Sequence, residues 1–332
     1  MSRRPLTPAR YVASLLAWAA LWLTVSAVAV VVGGRLWTWG SRAQMADVIW
    51  LRLEWVATAS AVGAALALAG LAMQALLRNP LAEPYILGVS GGAGLAYVLG
   101  SLFLSVTTAP PALAMGGALA TVALVYGIAR RRGRLEPYTL LLTGVILNAF
   151  YAAGIMLVTA VVRPEQRGEI AVWMMGNIGA FGPQWPLIAV VSALAAGAAI
   201  LFAFLAKGFN LVAVGEDTAG ALGVRVQRLR VVTFVAASLL AGASVALAGP
   251  IGFVGLICPH LLRMLLGPDH RRLAPASLFF GATFLVLADL AACLWEGATN
   301  RSVPVGVLTA MCGGPFFIYL LRTRWRKRME VR

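Results

Sequence analysis

The sequence predicts an all-α, polytopic membrane protein of about ten transmembrane helices, with both termini in the cytoplasm. Apolar runs of about 20 residues, the length that spans a bilayer, recur from one end of the 332-residue chain to the other. Hydrophobic residues make up 61% of the chain and charged residues only 12%. This composition excludes a disordered chain. It also does not fit a soluble domain, in which apolar and polar faces alternate.

The apolar runs define the predicted spans, which we treat as one transmembrane domain over residues 1–332. The spans cover residues 11–32, 55–77, 86–106, 112–129, 138–162, 185–206, 231–248, 252–266, 274–295 and 303–321. The boundary between the seventh and eighth spans is the least defined, because only Gly249 and Pro250 interrupt one continuous apolar run.

The positions of the basic residues predict the orientation. The net charge is +15, and with the N-terminus inside, most of the 27 Lys and Arg residues fall in inside loops, tails and span ends. The exceptions are Arg35, Arg42, Arg52, Arg163, Arg167 and Arg301. An excess of Lys and Arg marks the cytoplasmic side of a membrane protein. The charge is therefore interpreted as a topology signal, and nucleic acid is not expected as a partner.

A stretch rich in proline and glycine interrupts the apolar pattern at residues 78–96. Its prolines and glycines predict non-helical backbone, which is tolerated at membrane depth where it is buried in protein or lines a cavity. A nucleotide-binding loop is excluded, since the chain contains no G-x-x-x-x-G-K-[ST] pattern. The chain is thus not expected to hydrolyse nucleotide by itself.

Two further patterns are interpreted as packing or contact features. Cys258 and His260 have no partners at metal-ligand spacing, so they are expected to be packing residues and no metal site is predicted. The stretch at 173–184 has the sequence WMMGNIGAFGPQ and lies in the longest predicted outside segment. We expect it to form a lid or a surface for docking a partner.

Polar residues inside predicted spans need a physical account. Asn148 and Tyr151 lie in the fifth span and are expected to face protein or a cavity. Asp289 lies well inside the ninth span, where a carboxylate is costly. It either relays protons together with Glu296, as in an ion-coupled secondary transporter, or ties helices together by hydrogen bonds. The second interpretation is favoured.

The segment 210–230 is unlike a simple connecting loop. Gly215 is predicted to break the preceding helix, Glu216 and Asp217 favour the N-terminus of a new one, and Gly223 ends it. A short helix held between two spans, outside the bilayer, suits the transmission of force from a partner.

Motifs along nearly the whole chain match those of one known family. They are Gly70 and Gln74, RNPLAEP at 78–84, LGVS at 87–90, WMMG at 173–176, GE at 215–216 with Ala219 and LG at 222–223, GFVGL at 252–256, Pro259, His260 and Arg263, GPDHRR at 267–272, PVGV at 304–307, Thr309, Ala310, Gly313, and PFF at 315–317. The chain resembles the FecCD-type permeases, which are the membrane subunits of bacterial ABC importers for iron–siderophores, haem and cobalamin.

The resemblance implies a homodimer in the bacterial plasma (inner) membrane, with the translocation path at the dimer axis. Two cytoplasmic ATPase subunits would bind ATP and Mg²⁺, so this chain itself needs no cofactor, and a substrate-binding protein would dock outside. The family places its coupling helix near 214–224, so Gly215, Glu216, Ala219, Leu222 and Gly223 are expected to contact or position the ATPase. Asn148 and Tyr151 are candidates for lining the path.

Two departures from the family pattern concern the docking of the binding protein. The family has Arg-Leu-Pro-Arg before the second span, and its arginines receive acidic residues of the binding protein, whereas this chain has RLEW at 52–55. Only Arg52 carries over, Glu54 is expected to repel the partner, and Arg301 is expected to compensate. Ser302 replaces a glutamate that the family has before the tenth span.

The sequence features fit three classes of function to different degrees. An importer subunit is preferred, and an ion-coupled secondary transporter that uses Asp289 and Glu296 without an ATPase is the alternative. A membrane-embedded enzyme is the least favoured class, because the chain has no HExxH, paired-acid or Ser/His pattern. Haem, an iron–siderophore, cobalamin and smaller oxyanions all remain open as cargo.

Overall fold

The fold is a bundle of helices with one minimal strand pair. The computed structural model describes residues 8–32, 42–103, 110–131, 134–179 and 184–329. Within this part of the chain the helices are α1 (Pro8–Val32), α2 (Arg42–Leu76), α3 (Val89–Phe103), α4 (Pro110–Ala129), α5 (Pro137–Val161), α6 (Pro164–Met174), α7 (Trp185–Val214), α8 (Glu216–Ala221), α9 (Val226–Ala248), α10 (Val254–Leu266), α11 (His270–Thr299) and α12 (Val305–Met329). The strands β1 (Arg130–Arg131) and β2 (Arg134–Leu135) pair antiparallel.

The predicted all-α membrane fold is confirmed. Seven of the described helices, α1, α2, α4, α5, α7, α9 and α11, are long and apolar enough to cross a membrane. Three shorter apolar helices, within α3, α10 and α12, lie at the other predicted spans. The number of ten spans and the cytoplasmic location of both termini stay predictions. Arg35, residues 104–106 of the third predicted span and residues 180–183 lie outside the described part of the chain.

Helix α2 is the centre of the bundle. In the most apolar stretch of 18 residues in α2, 94% of the residues are buried inside the protein, where α2 packs against α7, α9, α10 and α11. Glycines allow this close packing: a Cβ at Gly63 would lie 2.2 Å from the carbonyl oxygen of Gly281 in α11, and one at Gly70 would lie 1.8 Å from that of Gly255 in α10. In lipid, such contacts between small residues hold helices together where water supplies no hydrophobic driving force.

The structure confirms the break expected at Gly249 and Pro250. Helix α9 ends at Ala248 and α10 begins at Val254. Two residues between them, Gly249 and Phe253, have φ of 70° and 68°. Since α-helical backbone requires negative φ, the helix cannot continue through this segment.

A second break, between α2 and α3, lies against the first. It contains a 3₁₀ turn (Pro84–Leu87) and Gly88 with φ of 80°. The Phe253 N–H donates to Oε1 of Glu83 at 2.6 Å, and the Ile251 N–H donates to the Tyr85 hydroxyl at 3.3 Å. We call residues 83–88, 175–177 and 249–253 the central junction. It satisfies backbone groups that have no helical partner, as irregular backbone at membrane depth requires.

The expectation of a lid at 173–184 is wrong for its described part, Trp173 to Gly179. Trp173 is only 2% exposed and stacks on Tyr97 with ring centroids 4.0 Å apart. Gly176 has φ of 71°, and its carbonyl oxygen accepts a hydrogen bond from the Gly306 N–H at 3.0 Å. Trp173, Gly176 and Ile178 are therefore packed inside the protein, and only Met175 of residues 173–179 is classed as exposed. A sequence pattern of aromatic and methionine residues does not distinguish such packing from an exposed surface.

The packing around α2 predicts a stability difference between two glycine substitutions. Gly63→Ala places a methyl group against backbone that cannot move freely, so we expect a loss of about 1–3 kcal/mol. Gly197→Ala on α7 is the control, because no atom lies within 4 Å of the added carbon, and alanine favours a helix by about 1 kcal/mol. Thermal unfolding in detergent measures both. Equal midpoints for the two variants would contradict this packing.

Candidate functional site

Helix α8 lies within the segment where the sequence predicts a short helix. The Ala219 N–H donates to the Gly215 carbonyl at 2.9 Å, and the Ala219 side chain is fully buried. Gly223 has φ of 83° and ends the turn. Gly215 has φ of 172°, an extended conformation that any residue can adopt. Only Gly223, with its positive φ, has a backbone conformation here that favours glycine.

Glu216 links α8 to two distant parts of the chain. Its Oε1 accepts hydrogen bonds from Nη1 of Arg78 at 3.3 Å and from Nη2 of Arg230. Arg78 follows α2, and Arg230 lies in the first turns of α9. Partly exposed ion pairs contribute only about 0–1 kcal/mol each, so their main effect is to position α8.

The outer face of α8 has no packing partner within the described chain. Leu222 is 62% exposed and Val214, at the end of α7, is 75% exposed. Asp217, Thr218 and Gly220 are also exposed. The helix thus presents a small apolar and acidic surface while buried Ala219 and the Glu216 ion pairs hold its inner face.

The ends of neighbouring helices are fixed by polar side chains. Nδ2 of Asn210 in α7 donates to Oδ1 of Asp269 at 2.7 Å, and Asp269 in turn accepts from the Arg271 N–H at the start of α11. Nη1 of Arg263 in α10 donates to Oε1 of Gln74 in α2 at 3.0 Å. These hydrogen bonds join α7, which precedes α8, to the start of α11, and they join α10 to α2.

The opposite end of α2 carries a second group of charges. Nη1 of Arg52 donates to Sγ of Cys293 in α11 at 2.9 Å, and the guanidinium lies 4.8 Å from the centre of the Trp55 ring. Asp289 precedes Cys293 by one helical turn, is only 7% exposed, and lies within the electrostatic reach of Arg52. Glu296 is exposed on the same helix. The two acids of the proposed proton relay therefore have different environments.

The structure does not support the expectation that Glu54 repels a partner. Glu54 is 3% exposed, and its Oε1 accepts a hydrogen bond from the Gln184 N–H at 3.1 Å. Its carboxylate therefore serves the start of α7 inside the protein. Arg301 and Ser302 are both exposed, whereas Arg52 is partly buried against α11. Docking at Arg52 and Arg301 stays a prediction.

Asn148 and Tyr151 face neighbouring helices. Nδ2 of Asn148 donates to the Tyr85 carbonyl in the central junction at 3.0 Å. The Tyr151 hydroxyl is 3.0 Å from Oγ1 of Thr121 in α4. The expectation that these groups face protein or a cavity agrees with these contacts. Their assignment to a translocation path stays a prediction.

The partners of Glu216 were not among the residues assigned to the site from sequence. Arg78 and Arg230 lie 138 and 14 residues from Glu216 along the chain. The sequence contained one usable signal, the basic residues that flank α8 on the same predicted side of the membrane. It contained no information on which arginine reaches the glutamate.

Comparison with known proteins places these features in a family. The sequence profile of the FecCD transport family matches residues 10–323. The vitamin B12 import system permease protein BtuC of Vibrio cholerae is 38% identical over 314 residues, which cover 91% of each chain. The hemin transport system permease protein HmuU of Yersinia pestis is 38% identical over 291 residues, which cover 84% of this chain and 85% of HmuU.

A solved structure agrees with the fold over almost its whole length. It is described as an inward-facing conformation of a proposed metal-chelate type ABC transporter. The TM-score is 0.81 at 29% sequence identity, with 94% of this chain and 99% of that chain covered. The profile match, the relatives and the shared fold lead to one conclusion: this chain belongs to the FecCD transport family, and it is a transport permease subunit and not an enzyme.

Proposed function

We propose that the chain is the permease subunit of a binding-protein-dependent ABC importer that carries a metal chelate into the cytoplasm. The observation that carries the proposal is the exposed outer face of α8, which is anchored to the bundle through Glu216 but has no packing partner in the described chain. Relatives named as importers of cobalamin, hemin and siderophores support an iron–siderophore, haem or cobalamin-type chelate as cargo.

In this proposal α8 is a cytoplasmic coupling helix. Leu222 and the acidic first turn contact an ATPase subunit, buried Ala219 keeps the helix on the permease, and Gly223 allows the tight turn into α9. ATP and Mg²⁺ bind to a pair of such subunits. Their closure moves α8, and ATP supplies the free-energy difference between the outward-facing and inward-facing states.

The second copy of the chain belongs on an exposed apolar face. Helix α5 exposes Ile146, Phe150, Met156 and Leu157. We assign this face to the dimer axis, beside the translocation path. Asn148 holds α5 against the central junction, and Tyr151 holds it against α4. The other exposed apolar faces contact lipid in the bacterial plasma membrane, with both termini in the cytoplasm.

At the opposite side of the membrane, the binding protein docks through exposed cations. Arg301 is exposed and suits this role, and we assign a second contribution to Arg52, which is partly exposed. Glu54 is buried and accepts the Gln184 N–H, so its carboxylate does not lie on the surface that an acidic partner would contact.

The ion-coupled alternative depends on Asp289. Arg52 supplies a cation near the carboxylate, and pairing is the usual way in which a membrane interior accommodates an acid. Glu296 does not extend a buried relay, because it is exposed. The nearby positive charge and the exposure of Glu296 favour a structural role for Asp289 and so favour the importer.

The direct test of the proposed class is purification from the native membrane in mild detergent, followed by mass spectrometry. A stoichiometric ATPase subunit and a second copy of the chain are expected. A stable dimer that never brings an ATPase with it, across several detergents, would contradict the proposal.

Leu222 supplies a prediction for the coupling helix. Leu222→Ala removes an apolar contact to the ATPase, so we expect at least about tenfold weaker association, or about 1.4 kcal/mol, and a matching loss of transport. The fraction of ATPase that copurifies measures this. Leu16→Ala on α1 is the control, because Leu16 is exposed to a similar extent, 65% against 62%, but lies on a helix that the proposal assigns to lipid. If both variants retain the ATPase equally, Leu222 is not a contact.

The electrostatic interaction between Arg52 and Asp289 leads to a second prediction, which concerns stability. Arg52→Gln leaves the buried carboxylate without its cation and is expected to lower the thermal unfolding midpoint, and adding Asp289→Asn to the same chain should restore it. The interaction energy from the double-mutant cycle should be about 1–3 kcal/mol.

Asp289→Asn alone should keep transport. Abolished transport in a folded Asp289→Asn variant that still binds its ATPase would instead favour proton coupling.

A further inference from the structure

The short connection at residues 78–83, which follows α2, involves two residues with positive φ. Arg78 is its first residue, and Phe253 bonds its last residue, Glu83. Among the described non-glycine residues, only Arg78, Phe253 and Asn300 have positive φ. Arg78 bonds Glu216 at the start of α8, and Phe253 bonds Glu83, which follows Arg78 closely in the chain. Strained backbone persists only where its surroundings hold it, and it concentrates at functional sites. Residues 78–83 thus join α8 to the start of α10.

The connection 78–83 is compact and held by its own hydrogen bonds. The Leu81 N–H donates to Oδ1 of Asn79 at 3.0 Å, and the Ala82 N–H donates to the Asn79 carbonyl at 3.1 Å. Ala82 is fully buried. Because these hydrogen bonds close the turn and Ala82 is packed inside the protein, we expect a movement of Arg78 to displace Glu83 as well.

Glu83 holds the residue that begins α10. Its Oε1 accepts the Phe253 N–H at 2.6 Å, and the Phe253 carbonyl accepts the Ile257 N–H at 2.8 Å in the first turn of α10. A carboxyl and an amide at this position both offer an oxygen that accepts the Phe253 hydrogen bond.

Phe253 in turn contacts α12. A Cβ at Gly313 would lie 2.2 Å from Cγ of Phe253, so the phenyl ring occupies the space that a side chain on α12 would need. The break between α9 and α10 is therefore packed directly against α12.

We infer that Glu83 is a positioning residue that carries the movement of α8 to the α9–α10 break and, through Phe253, to α12. The inference rests on the proposed function, because α8 moves only if an ATPase acts on it. Arg230 joins α8 to α9 by a separate route. Glu83 is therefore required for the movement of α12 and not for binding of the ATPase.

The test uses the permease with its copurified ATPase in lipid nanodiscs. Cys312 neighbours Gly313 and is exposed, whereas Cys258 and Cys293 are buried, so a nitroxide label attaches preferentially to Cys312. Electron spin resonance then measures the distance between the Cys312 labels of the two copies before and after trapping with ATP and vanadate. The variants are Glu83→Ala and Glu83→Gln. The control is Glu136→Ala, which removes an exposed carboxylate that accepts a hydrogen bond from Thr139, three residues away.

We expect the distance to shift on trapping in the wild type, in Glu83→Gln, which keeps the acceptor oxygen, and in Glu136→Ala. In Glu83→Ala the shift should be lost while ATP hydrolysis persists. A normal shift in Glu83→Ala, or a lost shift in Glu83→Gln, would overturn the inference. A wild-type complex that lacks an ATPase, or hydrolyses ATP without any shift, would instead count against the proposed function.

A second variant serves if Glu83→Ala does not assemble. Phe253→Gly keeps the positive φ without strain and keeps the N–H that bonds Glu83, but it lacks the ring on Gly313. The shift at Cys312 should again be lost with hydrolysis retained. A wild-type shift in Phe253→Gly would also overturn the inference.

Discussion

The close approach of α10 and α11 to α2 is the constraint on which the rest of the structure depends. Carbonyl oxygens of Gly255 and Gly281 occupy the space where Gly70 and Gly63 lack side chains. These contacts bury α2 and bring the segments that follow α2 and α9 into contact. Those segments cannot be helical, since Gly88, Gly249 and Phe253 have positive φ. In a membrane they persist because Glu83 and Tyr85 of the first segment accept hydrogen bonds from backbone N–H groups of the second, and Asn148 of α5 donates to the Tyr85 carbonyl.

This arrangement connects the functional elements. Helix α8 contacts the protein through Glu216, whose partners lie just after α2 and in α9. The contact with Arg78 leads through residues 78–83 to Phe253 in the central junction, whereas the contact with Arg230 attaches α8 to the start of α9. Tightly packed helices and junctions tend to move between a few discrete arrangements and do not deform gradually. This property suits a switch between two states. A rigid bundle without breaks would offer no such place for the movement to act.

Much of the fold was predictable because it follows from local composition. Apolar length defines the spans, Gly249 and Pro250 mark the α9–α10 break, and the pattern from Gly215 to Gly223 marks α8. What was not predictable depends on contacts between distant residues. Glu216 bonds Arg78 across 138 positions, and Glu83 bonds Phe253 across 170. Trp173 and Glu54 were expected at the surface and are buried, because their partners, Tyr97 and the Gln184 amide, lie on other elements.

Transport driven by ATP, and not by an ion gradient, can be tested directly by measuring uptake. The purified complex is reconstituted in proteoliposomes with its binding protein, and uptake of cyanocobalamin, hemin and a ferric siderophore is followed. We expect uptake of at least one of these to require ATP on the cytoplasmic side and to be unchanged when an ionophore collapses the proton gradient. Uptake without ATP, driven by an imposed ion gradient and lost with the ionophore, would contradict this expectation.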